Sequence, residues 1–267
     1  MNPDAGWYLY AFLCHEDLPP LTGIDGRSPL SLIAENGIAA LASPVLLAEF
    51  GEEAFRRNLE DLHWLEEKVR LHEAIVEATL AKGPVLPMKL GIIFTDPERI
   101  RAVIRRNARR IREALEFLRD KVEWGVKGFA DRAALRAAVF RSDPELVALS
   151  REASPKPPGQ AFFLKRKIEE TASEKSQERE EVLAREALEA IRGTVVELAA
   201  YPPLLPEPPR GERIILNLAC LVRREEVEAF LAEVEQWNRG HAEEGFRLLA
   251  SGPWPPYHFV RWVDDEG

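Results

Sequence analysis

The order in which apolar spacing changes along residues 122–251 constrains this chain more than any other feature. Side chains alternate across a strand and return every 3.6 residues on a helix, so spacing separates the two. VEWGVKGF at 122–129 reads as a strand, and residues 162–191 as a helix carrying Leu164, Ile168, Ala172, Leu183, Ala187 and Ile191 on one side. Strands follow at 195–201 and 214–222, then a helix at 224–244 and a last strand at 246–251. IILNLACLV at 214–222 is apolar enough to be buried on both faces. With one or two short helices at 131–150 treated as an insert, the order is β-α-β-β-α-β. That order predicts a ferredoxin-like sandwich with both helices on one face of the sheet. The middle of the long helix, SEKSQEREE, is polar on every face and is expected to project into solvent or fray.

The first half is also α+β. Trp7–Cys14 and Gly37–Leu46 read as strands, with a loop rich in Pro, Gly and Asp between them. Phe55, Leu62, Val69 and Val76 recur every seven residues, widened by Leu59, Leu65 and Leu80, which predicts one helix over 52–82 ended by Gly83-Pro84. Residues 85–94 read as a strand kinked at Pro87 and Gly91. Thr95 or Asp96 then caps a helix over 97–119, with Pro97 at its first position. The expected architecture is α+β in two domains: an N-terminal α+β domain over 1–120 and a C-terminal ferredoxin-like domain over 121–267 with a helical insert. Proline-rich loops are expected at 154–159 and 202–212.

Bulk properties narrow the function. Of 267 residues, 46% are hydrophobic and 30% charged, enough for two cores, and the formal net charge is −9. An acidic chain is poorly suited to non-specific nucleic-acid binding, which relies on Lys and Arg displacing counterions. No stretch approaches the roughly 20 apolar residues of a membrane span. The start, MNPDAGWYLYAF, lacks a basic region and a cleavage site, so a cytoplasmic protein is expected. Cys14 and Cys220 sit in apolar runs without paired spacing and are expected as free core thiols.

Motifs for chemistry are missing. There is no HExxH, GxSxG, P-loop or GxGxxG, so neither catalytic residues nor a metal or cofactor site is expected. His72 lies on the flank of the apolar stripe and reads as a hydrogen-bonded structural histidine. Two features suit contact with another protein. Pro253-Trp254-Pro255-Pro256-Tyr257 presents aromatic rings on a stiff backbone, either to close a core edge or to anchor a partner. Arg101, Arg105, Arg109 and Arg112 align as a ridge on the helix over 97–119, either solvated and paired within the chain or facing an acidic protein partner; nucleic acid is the least favoured reading, since no aromatic residues are interleaved for base stacking.

Eight strings occur in order: WYLYAF, LTGIDG, EDLHWLEEKVRLHEAIVE, GPVLPMKLGIIF, KVEWGVKGF, PGQAFFLKRK, LNLACLVRREEVEAF and GPWPPYHFV. Together they resemble the GvpL/GvpF family of gas vesicle proteins along nearly the whole chain, with VEWGVK and GPWPPYHF the most specific. The resemblance implies a non-enzymatic accessory or minor structural protein of the gas vesicle, without cofactors. It implies as partners the small hydrophobic shell protein GvpA, whose aggregation it would limit during nucleation, and other gas vesicle accessory proteins. A ferredoxin-like regulatory or small-ligand-binding module is the rival reading.

Overall fold

The computed structural model describes residues 4–153, 158–202 and 212–260. The described residues divide into two compact units, one made of 4–123 and 253–260, the other spanning Trp124–Gly252. The expected C-terminal domain runs over 121–267, whereas residues 253–260 group with the first unit.

In the first unit, strands β1 (Ala5–Leu13), β2 (Ser31–Glu35), β3 (Ile38–Leu46), β4 (Val85–Pro87) and β5 (Ile93–Phe94) form one sheet in the order β2-β3-β1-β4, with β5 also on β1. The strand pairs β1–β3, β2–β3, β1–β4 and β1–β5 are all antiparallel. Asn36 and Gly37 take positive φ at the tight turn joining β2 to β3, a turn that suits these two residues. β2 was not anticipated: its short SLIAE sequence follows a turn-rich stretch and carries little alternation. In β1 the pairing shifts between Leu9 and Ala11, so Tyr10 is the extra residue of a bulge. Tyr8, Leu9, Tyr10, Ala11, Phe12 and Leu13 are all buried, as a central strand covered on both faces requires.

A short helix α1 (Leu47–Phe50) follows β3, and the helix expected over 52–82 is two: α2 (Glu52–Asn58) and α3 (Leu62–Leu80). The break falls at Asp61, whose carboxylate accepts from the His63 and Trp64 amides and so starts a new helix. Asp96, not Thr95, caps α4 (Pro97–Leu118) by accepting from the Arg99 amide. Ile100, Ile104, Ile111, Leu115 and Leu118 form its buried stripe. α4 lies against β2, β3 and β4, and α3 against β1 and β4. Cys14 is exposed just past the end of β1, correcting its expected place in the core, whereas Cys220 is buried; both thiols are free.

The second sheet has the order β7-β8-β6-β9, from β6 (Lys121–Asp131), β7 (Glu197–Ala200), β8 (Glu212–Arg223) and β9 (Phe246–Trp254). This is the order of a ferredoxin-like split βαβ sheet: the first and third strands are central. Between β6 and β7 come α5 (Arg132–Ser142), α6 (Pro144–Ala153) and α7 (Pro158–Arg192); α8 (Val227–His241) joins β8 to β9. α7 packs on α8, and both pack on β8, so they share a face. The insert has its own small core of Val139, Leu146, Ile168 and Ala172. Pro158 and Gly159, expected in a loop, open α7; the remainder of that loop and most of the 202–212 loop lie outside the described residues.

The polar middle of α7 neither frays nor stands free. Arg179 pairs with Glu244 at 2.7 Å, and Glu180 is 9% exposed and faces Arg213 at 3.4 Å. These partners lie 65 and 33 residues away, beyond the reach of a local pattern.

Two details fix the start of β9. Gly245 has φ +72, and a Cβ there would meet the Ala134 Cβ at 2.6 Å and the Leu135 nitrogen at 2.9 Å. Its carbonyl accepts from the Asp131 amide at 2.7 Å. The Asn238 side chain then pairs with both backbone groups of Leu248, accepting from its N–H at 2.7 Å and donating to its carbonyl at 2.9 Å. An amide side chain so placed satisfies backbone polar groups on a strand at the edge of the sheet. Asn238→Ala is expected to lower stability by about 1–3 kcal/mol, measured by urea denaturation.

Candidate partner-docking surfaces

The segment GPWPPYHF is divided by burial. Pro255, Pro256 and Phe259 are buried, Tyr257 is half-buried, and Trp254 is 41% exposed. Long-range polar contacts hold the segment. The Glu123 carboxylate, 4% exposed, accepts from the His258 backbone N–H at 3.0 Å and meets the His258 Nδ1 at 2.5 Å. The hydrogen bond to Glu123 raises the His258 pKa above its ordinary value, against the lowering effect of desolvation. Tyr257 faces Glu73, and its ring lies 6.2 Å from that of His72. Burial raises the Glu73 carboxyl pKa, a shift the Tyr257 hydroxyl opposes and the charges of Glu77 and Glu123 reinforce. Glu123→Gln keeps an acceptor but removes the charge. His258 is therefore expected to titrate at lower pH in that variant than in the parent, as read by NMR of the ring.

Beneath this segment lies a buried hydrogen-bond chain whose proton positions follow from its ends. The Met88 carbonyl only accepts, so His72 Nε2 carries the proton in their 3.1 Å bond. Nδ1 is then the acceptor for the Tyr8 hydroxyl at 2.9 Å, and Tyr8 oxygen accepts from the Gly91 amide at 3.0 Å. Tyr10 extends the polar interior, contacting Ser43 Oγ at 2.7 Å and accepting from the Ile24 amide at 2.7 Å. His72 is thus held neutral, and desolvation lowers its pKa to about 4.

The arginines of the ridge have partners within the chain. Arg101 reaches Glu98 at 3.4 Å, Arg105 reaches Glu98 at 2.7 Å and Glu35 at 3.3 Å, and Arg109 reaches Glu113 at 2.7 Å. Arg112 donates to the Asn36 carbonyl at 2.5 Å. The carboxylate partners raise the Arg105 and Arg109 pKa values. Ridge and C-terminal segment are separate features: Arg105 ties α4 to β2, whereas Tyr257 and His258 engage α3 and β6.

The largest exposed aromatic feature belongs to neither. Phe162 and Phe163, at the start of α7, are 64% and 74% exposed, with rings perpendicular at 5.9 Å. Lys165, Arg166 and Lys167 follow on the next turn, all exposed. The sequence reading missed this pair as a surface feature because AFFL looks like core. The signal was available in the adjacency: two neighbouring helical residues lie about 100° apart, so both cannot face one narrow stripe. In the first unit Leu62, 76% exposed, and Val69, 40% exposed, lie seven residues apart on α3 and leave a smaller apolar strip.

Among the described residues no His, Cys, Asp or Glu group is arranged to hold a metal ion, and no helix is long and apolar enough to cross a membrane. Fold and surface together define a class: an α+β protein with a split βαβ unit that presents exposed aromatic and aliphatic side chains as its most prominent feature.

The family model for gas vesicle synthesis protein GvpL/GvpF matches residues 6–261, and the chain belongs to that family. It is 28% identical to gas vesicle protein L of Streptomyces sp. (strain CB03234), across 100% of this chain and 97% of that protein. It is 31% identical to gas vesicle protein F of the same strain, across 95% and 98%. The fold is that of the crystal structure of GvpF from Anabaena sp. PCC7120, with a TM-score of 0.66 and 20% identity over 97% of this chain and 98% of that one. GvpF from Microcystis aeruginosa gives 0.65 over 96% and 99%, also at 20% identity. The chain is therefore a gas vesicle accessory protein of the GvpL/GvpF family.

Proposed function

We propose that this protein binds the small hydrophobic shell protein GvpA and limits its aggregation while the vesicle nucleates and grows. A shell that excludes water needs subunits with large apolar surfaces, and patches above a few hundred Å² associate readily in solution. A soluble partner that covers such a patch needs apolar side chains held outward on a charged, folded body. Phe162 and Phe163 are the observation that carries this reading: aromatic rings so exposed have little packing role, and aromatic residues dominate binding energy at interfaces.

Trp254 and the ridge of Arg101, Arg105 and Arg109 are proposed as further contacts. Buried Pro255 and Pro256 and half-buried Tyr257 would hold Trp254 at the surface. The reading assigns the chain no reaction, places it in the cytoplasm at the gas vesicle, and leaves room for other accessory proteins as partners. The net charge of −9 keeps the protein itself soluble.

A pull-down of purified shell protein by the full chain tests the reading. Retention that persists at high salt is expected of an apolar contact. Absence of retention at low and high salt alike contradicts it.

A further inference from the structure

We propose that a polar cleft in the second unit is a binding site for an oxyanion, a phosphate or carboxylate group held by Arg132, Arg136, Ser173 and Gln177. The cleft has a volume of roughly 260 Å³ and is lined by α5, α7 and β8. Arg132 and Arg136 stand one turn apart on α5. Facing them, α7 contributes Ser173, Ser176, Gln177 and Glu180, at spacings of three, four and seven from the first, and Arg213 comes from β8. Ser173 and Gln177 are exposed and Ser176 is half-buried, whereas Glu180, Ala172 and Leu183 are buried.

The charges identify the ligand. Glu180 is 9% exposed and pairs with Arg213 at 3.4 Å, so its negative charge is already engaged inside the chain. Arg136 pairs with Glu169 at the rim. Arg132, Ser173 and Gln177 make no hydrogen bond or ion pair with the described residues. Ser176 spends its proton on the Ala172 carbonyl at 2.6 Å. The groups left over are therefore a guanidinium, a hydroxyl and a carboxamide, which together offer several N–H and O–H donors and one uncompensated positive charge. Arg forks match the paired oxygens of carboxylates and phosphates. Glu180 is the buried charge of the cleft and is held by Arg213, whereas Arg132, Arg136 and Arg213 keep their guanidinium groups reachable from solvent, where an incoming oxyanion can meet them.

The oxyanion has two sources, a small free anion or the acidic side chain or chain end of a partner protein. Amide NMR on the full chain separates them, titrating inorganic phosphate in one arm and a short peptide ending in a free carboxylate in the other, at constant ionic strength set with chloride. Saturable shifts confined to α5, α7 and the start of β8 are expected in one arm, and which arm responds names the source. Arg132→Ala and Ser173→Ala alter exposed residues and should fold normally; Arg132→Ala should weaken binding about tenfold or more. Shifts linear with concentration in both arms, or undiminished by Arg132→Ala, overturn the proposal. This test does not involve the shell protein, so its outcome is independent of the reading above.

Discussion

Acidification from pH 7 to pH 4 is expected to remove about 3 kcal/mol of folding stability through His72 alone. The ring is 2% exposed, and its folded-state pKa of about 4 lies below the ordinary value of 6.5. Between these values the unfolded chain binds a proton that the folded chain refuses, so stability is complete above pH 6.5 and declines as pH falls towards 4. Structure explains the refusal. Nε2–H is committed to the Met88 carbonyl, and Nδ1 accepts from Tyr8. A proton on Nδ1 would force Tyr8 to accept from it while also accepting from Gly91, leaving the phenol proton without an acceptor. Two neighbours act in the opposite sense. His258 has a raised pKa, so its contribution is present at low pH and lost as pH rises through the folded value; Glu73, also raised, costs less once protonated. The comparison that isolates His72 is urea denaturation of the parent and His72→Gln at a series of pH values from 7 to 4. The parent should lose about 3 kcal/mol more than the variant over that range. Parallel curves would show that His72 is not the refused site.

The second large effect concerns binding. Replacing both Phe162 and Phe163 by serine is expected to weaken capture of the shell protein about 100-fold or more, since truncating an aromatic hot spot removes about 2 kcal/mol or more each time. The same change should alter folding stability by no more than about 0.5 kcal/mol, because neither ring is buried. Isothermal titration of the parent and the double variant, with thermal unfolding as the control, reads both quantities. Leu62→Ser, on the strip of α3, serves as a comparison: an equal loss there would move the main contact to the first unit.

What could be read from the sequence follows the range of the interactions involved. The split βαβ order was legible because each strand and helix carries its own period, and β8 announced itself by a nearly unbroken apolar run. Asp96 followed by Pro97 marked the start of α4 because capping is local. Asp61 hid in plain view: an acidic residue on a helical stripe looks like any solvated position, and only its turn back to the His63 and Trp64 amides reveals the break. The C-terminal segment was harder still. The bond from Glu123 to His258 spans 135 residues, and no periodicity links the two. The arginine ridge was visible as a stripe, but its pairing with Glu35, 70 residues from Arg105, was not. Phe162 and Phe163 show the converse case, in which apolar composition suggested an interior that the fold does not supply at the start of α7.

The claim that outward-facing rings on this folded body shield a water-shy subunit is tested most directly by light scattering from purified shell protein diluted out of denaturant. Adding the parent chain in equal amount should suppress the rise in scattering, and the Phe162→Ser, Phe163→Ser double variant should restore most of it. Scattering that climbs identically with the parent, the variant or no addition would contradict the account.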